Sequence, residues 1–126
     1  MVSGKTTADE DSRSAFKALV VVLVLNGKID DALGLLAKHY NVDPPKIKVG
    51  LPKGRRKNVL GCYTANNRTI SVLNSDALRE PSIILHEFYH HLRRAADLKQ
   101  RGTEDNADRF AREFIKATET FLRTNR

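Results

Sequence analysis

Three of the chain's four histidines fall in the stretch His86-Glu87-Phe88-Tyr89-His90-His91, whose first five residues have the spacing HExxH. On a helix, residues four apart stack on one face, so His86 and His90 can direct imidazole nitrogens at a single ion. Glu87 lies about 100° further round the same helix, within reach of a water on that ion without being a ligand. Hydrolysis is the chemistry these residue types suit. Neutral imidazoles leave most of the charge on a zinc ion, which lowers the pKa of a bound water from 15.7 towards about 7. A carboxylate beside that water can take its proton during attack on a carbonyl and deliver it to the departing amine. Without a further donor the same string describes two surface histidines on a charged helix.

A catalytic zinc takes three protein ligands, so a third donor is expected downstream, where the chain can fold back. Arg101-Gly102 interrupts the helical pattern, and Thr103-Glu104-Asp105-Asn106-Ala107-Asp108 opens a second helix with Thr103 at its N-cap. A short connection makes the two helices antiparallel neighbours and returns the start of the second beside the first. Glu104 is the expected third ligand. Asp105 is the neighbouring alternative, and a first-turn acid that only complements the helix dipole is another. Asp108, one turn on, can accept the free N–H of a ligating imidazole and set its tautomer. A surface pair with Arg112 would explain it equally well.

The strings "ILHEFYHHL" and "EDNADRFAREF" resemble the ImmA/IrrE branch of the gluzincin metallopeptidases. That pattern is close to E-x-x-A-[ND]-x-F-A, and Glu104, Ala107, Asp108, Phe110 and Ala111 fit it. The likeness extends upstream through "GCYTANNRTISVLNSDALREPSIIL" and covers roughly residues 46 to 122. Tyr89 departs from it, standing where family members often have glycine; it adds bulk beside the site and bears on substrate access. SprT-like proteases match less well, because their further ligand is typically a histidine and none follows His91. The resemblance implies a zincin-like α+β domain with one Zn²⁺ per chain, held by His86, His90 and Glu104, with Glu87 as general base. It also implies an edge strand beside the metal that aligns an extended peptide, here Arg68, Thr69, Ile70, Ser71 and Val72, on to Leu73. An oxyanion stabiliser from a Tyr or His is implied as well, with Tyr63, Tyr89 and His91 as candidates and Tyr63 preferred. Packing of its ring would also explain Tyr63.

The elements that must position these residues can be read from periodicity. Residues 1–11 are polar and expected to be disordered, with residues 12–126 forming a single domain. Ser12 or Ser14 can cap a helix running to about Asn26, with Gly27 as its left-handed stop. Its centre, "LVVVLVL", is apolar on every side, so a buried strand is the alternative. Asp30 to Tyr40 reads as a second helix, ended by Pro44-Pro45, with His39 at its end interacting with the dipole. From Lys46 the period becomes two: "KIKVGL", then "NVLGCYT" and "RTISVL" around Ala65-Asn66-Asn67 as a hairpin, give a small, mainly antiparallel sheet. The active-site helix is expected from Ser75 or Asp76 to near Leu98, and the last helix from Thr103 to about Leu122. Their phenylalanines are core at helical spacing, and His91, five positions from His86, is expected to face solvent.

Composition bounds the rest. The chain has 126 residues, enough for one core without staples, and one cysteine, Cys62, which excludes an internal disulfide. Cys62 reads as a small buried strand residue. The run Ala18 to Leu25 is far short of a membrane span, and a cytoplasmic protein is expected. Twenty-two Lys and Arg against 15 Asp and Glu give a net charge of +7, with basic clusters at 53–57, Arg93-Arg94 and 99–101. That balance favours acidic partners, nucleic acid included, although a solvated basic surface explains it equally well. Two functions follow: a zinc endopeptidase acting on a specific protein partner, or a basic binding module whose zinc is structural or silent. With no second domain to form a far wall, the groove is expected to be shallow and open, or completed by a partner or a second copy. The oligomeric state stays open.

Overall fold

A computed structural model describes residues 3–53, 59–95 and 104–124. The chain forms α1 (Ser3–Leu25), α2 (Ile29–Tyr40), β1 (Lys46–Val49), β2 (Gly61–Thr64), β3 (Thr69–Val72), a 3-10 turn (Ser75–Arg79), α3 (Pro81–Ala95) and α4 (Glu104–Thr124). This is the expected α+β class.

The apolar run in α1 is helical. It buries Val20, Val21 and Val24 because α1 packs against α2, α3 and α4, so more than one of its sides meets protein. The helix begins at Ser3, where the sequence placed a disordered tail over residues 1–11 and a start at Ser12 or Ser14. Gly27 ends it with φ +77°: the Gly27 N–H donates to the Val24 carbonyl at 3.0 Å and the Lys28 N–H to the Leu23 carbonyl at 2.8 Å, the two bonds of a Schellman stop. In α2 the stop is Asn41, left-handed with φ 58°, so the helix is already closed before Pro44-Pro45.

The sheet is mixed, not mainly antiparallel. Its order is β1-β3-β2, with β1 parallel and β2 antiparallel to β3. The strand expected at the edge, Thr69, Ile70, Ser71 and Val72, is therefore the central one and is buried throughout. Arg68 lies outside it, in the hairpin turn with φ 53°. The physical reason is that β1 adds to the far side of β3, supplying hydrogen bonds that a substrate strand would otherwise use. Among the described residues the edges are β1 and β2. Ile70 and Val72 meet Ile84, Leu85 and Phe88 of α3 in the common core, which Phe114 of α4 closes.

The helix that carries the HExxH spacing starts later than expected, at Pro81. Asn74 caps the 3-10 turn, its side-chain Oδ1 accepting the Ala77 N–H at 3.0 Å. Glu80 is extended at φ −105° and ψ 101°, as a residue before proline prefers, and Pro81 then opens α3. The expected end near Leu98, the Thr103 cap and most of the basic clusters at 53–57 and 99–101 lie outside the described residues. Helix α4 buries Ala107, Ala111, Phe114 and Thr118, one stripe at three- and four-residue spacing that packs on α1 and α3.

Candidate metal centre

His86 and His90 stand on one face of α3 with ring centroids 5.1 Å apart. The first turn of α4 brings Glu104 over both. Its Oε1 lies 2.8 Å from His86 Nε2 and its Oε2 3.1 Å from His90 Nε2. Asp108, one turn on, accepts from His86 Nδ1 at 2.8 Å. A carboxylate on Nδ1 leaves Nε2 as the nitrogen to face an ion, which is the expected role for Asp108. Among the described residues, one ligand atom each from His86, His90 and Glu104 lie within 4.8 Å of one another, and Asp105 is not in that group. Zinc bonds of about 2.0–2.2 Å in a tetrahedral arrangement hold neighbouring ligand atoms roughly 3.3 Å apart. The spacings here are slightly tighter, and the Glu104 side chain, 74% exposed, is free of core packing that would stop it giving by that amount. The donor types suit a divalent ion such as zinc, and the three residues could hold one.

Electrostatics favour a cation at this point. Burial works against charge on His86, but the carboxylates of Glu87, Glu104 and Asp108 outweigh it and push its pKa above the ordinary histidine value. Burial and the neighbouring His86 push the His90 pKa down despite Glu104 and Asp108.

Glu87 is only 8% exposed and lines a cleft of about 630 Å³ together with His90, Glu104, Gly61, Cys62 and Tyr63. Strand β2 thus supplies part of the wall of the cleft that His90 and Glu104 also line. A Cβ on Gly61 would lie 2.8 Å from Ile83 Cγ2 and 3.6 Å from Glu87 Cγ, so glycine is what lets the β2 backbone press against α3 beside Glu87. A glycine inside a strand pattern was the signal for this approach. Cys62 is buried as expected, at the cleft wall.

Other sequence expectations change. His91 is not exposed to solvent: it is 1% exposed, donating from Nε2 to the Asp43 carbonyl at 2.7 Å and accepting the Tyr63 hydroxyl at Nδ1 over 2.8 Å. It shares the inward face of α3 with Phe88 and Ile84, three and seven positions earlier, a spacing that could have revealed it. Tyr63 is on the cleft wall, but its hydroxyl is engaged with His91. Tyr89 leans on Phe110, ring centroids 5.5 Å apart, and its hydroxyl accepts from Arg93 at 2.9 Å. Its bulk therefore points to α4 and does not line the cleft. His39 stacks on Phe16 at 4.0 Å in the last turn of α2. No helix among the described residues is long and apolar enough to cross a membrane. In comparisons with known proteins, no family model, curated protein or solved structure matches the chain.

Proposed function

We propose that this chain is a zinc-dependent endopeptidase of the zincin type, similar to the ImmA/IrrE branch, that cuts a specific protein partner. One observation carries the reading: two helices bring His86, His90 and Glu104 within 4.8 Å of one another, with Asp108 behind His86 and Glu87 beside them on a cleft wall.

His86, His90 and Glu104 would hold the metal, which supplies Lewis acidity and lowers the pKa of a bound water. Asp108 holds His86 in the tautomer that points Nε2 inward. Glu87 takes the proton of the attacking water and delivers it to the nitrogen of the departing amine. Its burial keeps that exchange away from bulk water. The outer edge of β2, which β3 leaves unpaired, aligns an extended peptide by main-chain hydrogen bonds. Tyr63, on the wall of the cleft, is the candidate for stabilising the carbonyl oxygen.

The test pairs metal content with cleavage of a randomised peptide library. Wild type should carry about one zinc per chain by elemental mass spectrometry, and Glu104→Ala should lose it. Glu87→Gln should keep the metal and lose cleavage by about 100-fold or more, the usual contribution of a positioned acid–base group. Zinc retained in wild type with no peptide cut would instead favour a basic module with a silent site, the reading that the net charge of +7 supports.

A further inference from the structure

A second cavity, of about 500 Å³, shares Tyr63 as a lining residue with the metal cleft. Three separate elements turn cations into it: Lys38 from the last turn of α2, Arg68 from the hairpin turn and Arg94 from the last turn of α3. They face one carboxylate, Asp43, whose Oδ2 lies 3.7 Å from Arg68 Nη1. The floor is held in place, because Tyr63 donates to buried His91 and His91 donates to the Asp43 carbonyl. Burial raises the Tyr63 phenol above its ordinary pKa, while the Arg68 and Arg94 guanidiniums pull it the other way, so both charges converge on that hydroxyl.

We infer that this cavity is a specificity pocket for the side-chain carboxylate of an Asp or Glu in the substrate, a few residues from the bond that is cut. The inference rests on the peptidase reading for its choice of ligand source. A strand paired along β2 advances about 3.3 Å per residue, so the residue two along from the one opposite Gly61 sits roughly 7 Å further on, opposite Tyr63. Gly61 and Tyr63 lie on the same face of β2, and Tyr63 is the wall common to both cavities. A substrate side chain at that place therefore meets the cationic pocket. Guanidinium forks match carboxylates in shape as well as charge. A free inorganic anion has the same attraction to the cations but no reason to be placed beside the cleft.

The experiment sequences the products that zinc-loaded wild type releases from a randomised decapeptide library, beside Lys38→Glu/Arg94→Glu and the neutral Lys38→Gln/Arg94→Gln. The expected result is about tenfold enrichment of Asp and Glu over Asn and Gln at one position near the cut, in keeping with charge-assisted hydrogen bonds. The neutral pair should erase this preference, and the charge-reversed pair should turn it towards Lys and Arg. Cleavage without an acidic preference, or a preference that survives both variants, overturns the pocket.

If nothing is cut, the peptidase reading fails and a second measurement judges the pocket by itself. Blocked Glu- and Gln-containing tripeptides and inorganic phosphate are titrated into wild type while the arginine side-chain and His91 ring signals are followed by NMR. Shifts with the Glu peptide at least tenfold tighter than with the Gln peptide, and lost in Lys38→Gln/Arg94→Gln, support a carboxylate pocket. Equal response to the two peptides, or response to phosphate alone, overturns it.

Discussion

Asp108 acts on the site through a single hydrogen bond, 2.8 Å long, to His86 Nδ1. Asp108→Asn keeps the shape and removes the charge, so zinc affinity should fall by about 10- to 100-fold with the fold intact, as measured by chelator competition and circular dichroism. The same residue shapes the pH response. In the metal-free chain, burial alone would lower the His86 pKa, but Glu87, Glu104 and Asp108 raise it above the ordinary value of about 6.5. Zinc must displace that proton, so its affinity should be full at higher pH and decline as the pH falls through the raised value. In Asp108→Asn, with one stabilising carboxylate gone, the decline should start at lower pH; an identical profile would contradict this role. At this scale the sequence was readable because helix geometry is local. His86, His90, Glu87 and the Glu104/Asp108 pair each follow from spacing along one helix. His91 was misread because five residues from His86 points away from the face that His86 and His90 share, and away from that face here means into the core.

Strand β2 and helix α3 touch through Gly61, and that contact sets the width of the cleft. Gly61→Ala would drive a methyl to 2.8 Å from Ile83 Cγ2, so something must shift. The expected loss is about 1–3 kcal/mol in chemical denaturation, the usual range for overpacking. Peptide cleavage should fall together with stability, whereas zinc content should hold, because His86, His90 and Glu104, the proposed ligands, sit on α3 and α4. Element boundaries were legible where a residue type dictates the backbone. Gly27 supplies the left-handed stop and Pro81 a helix start. They were misplaced where several residues could serve. Asn41 takes the left-handed position before the prolines are reached, and α1 extends upstream of both candidate serine caps, since each added residue of an established helix costs little. The split of the expected helix at Glu80 follows from Pro81, a local rule that the strong apolar pattern downstream had masked.

The whole molecule contributes the junction of α3 with α4 and the order of the strands. Zinc that binds only the folded junction should raise stability by about 2.7 kcal/mol when free metal is 100 times its Kd. Thermal unfolding with and without zinc should therefore show a higher Tm for wild type and no change for Glu104→Ala. The cleft and the cationic cavity share Tyr63, so the two are adjacent along β2. The sequence by itself determined the α+β class, the placing of His86, Glu87 and His90 on one helix, and the acids of the following helix, because each is a repeat of 3.6 or 2 within one segment. Only the tertiary structure decided that β3 is central and β2 is the edge that flanks Glu87. Strand order depends on where β1 pairs, a long-range choice that alternation along a strand does not encode. It likewise decided that Lys38, Arg68 and Arg94, far apart in the chain and ordinary as surface charges, meet around one cavity.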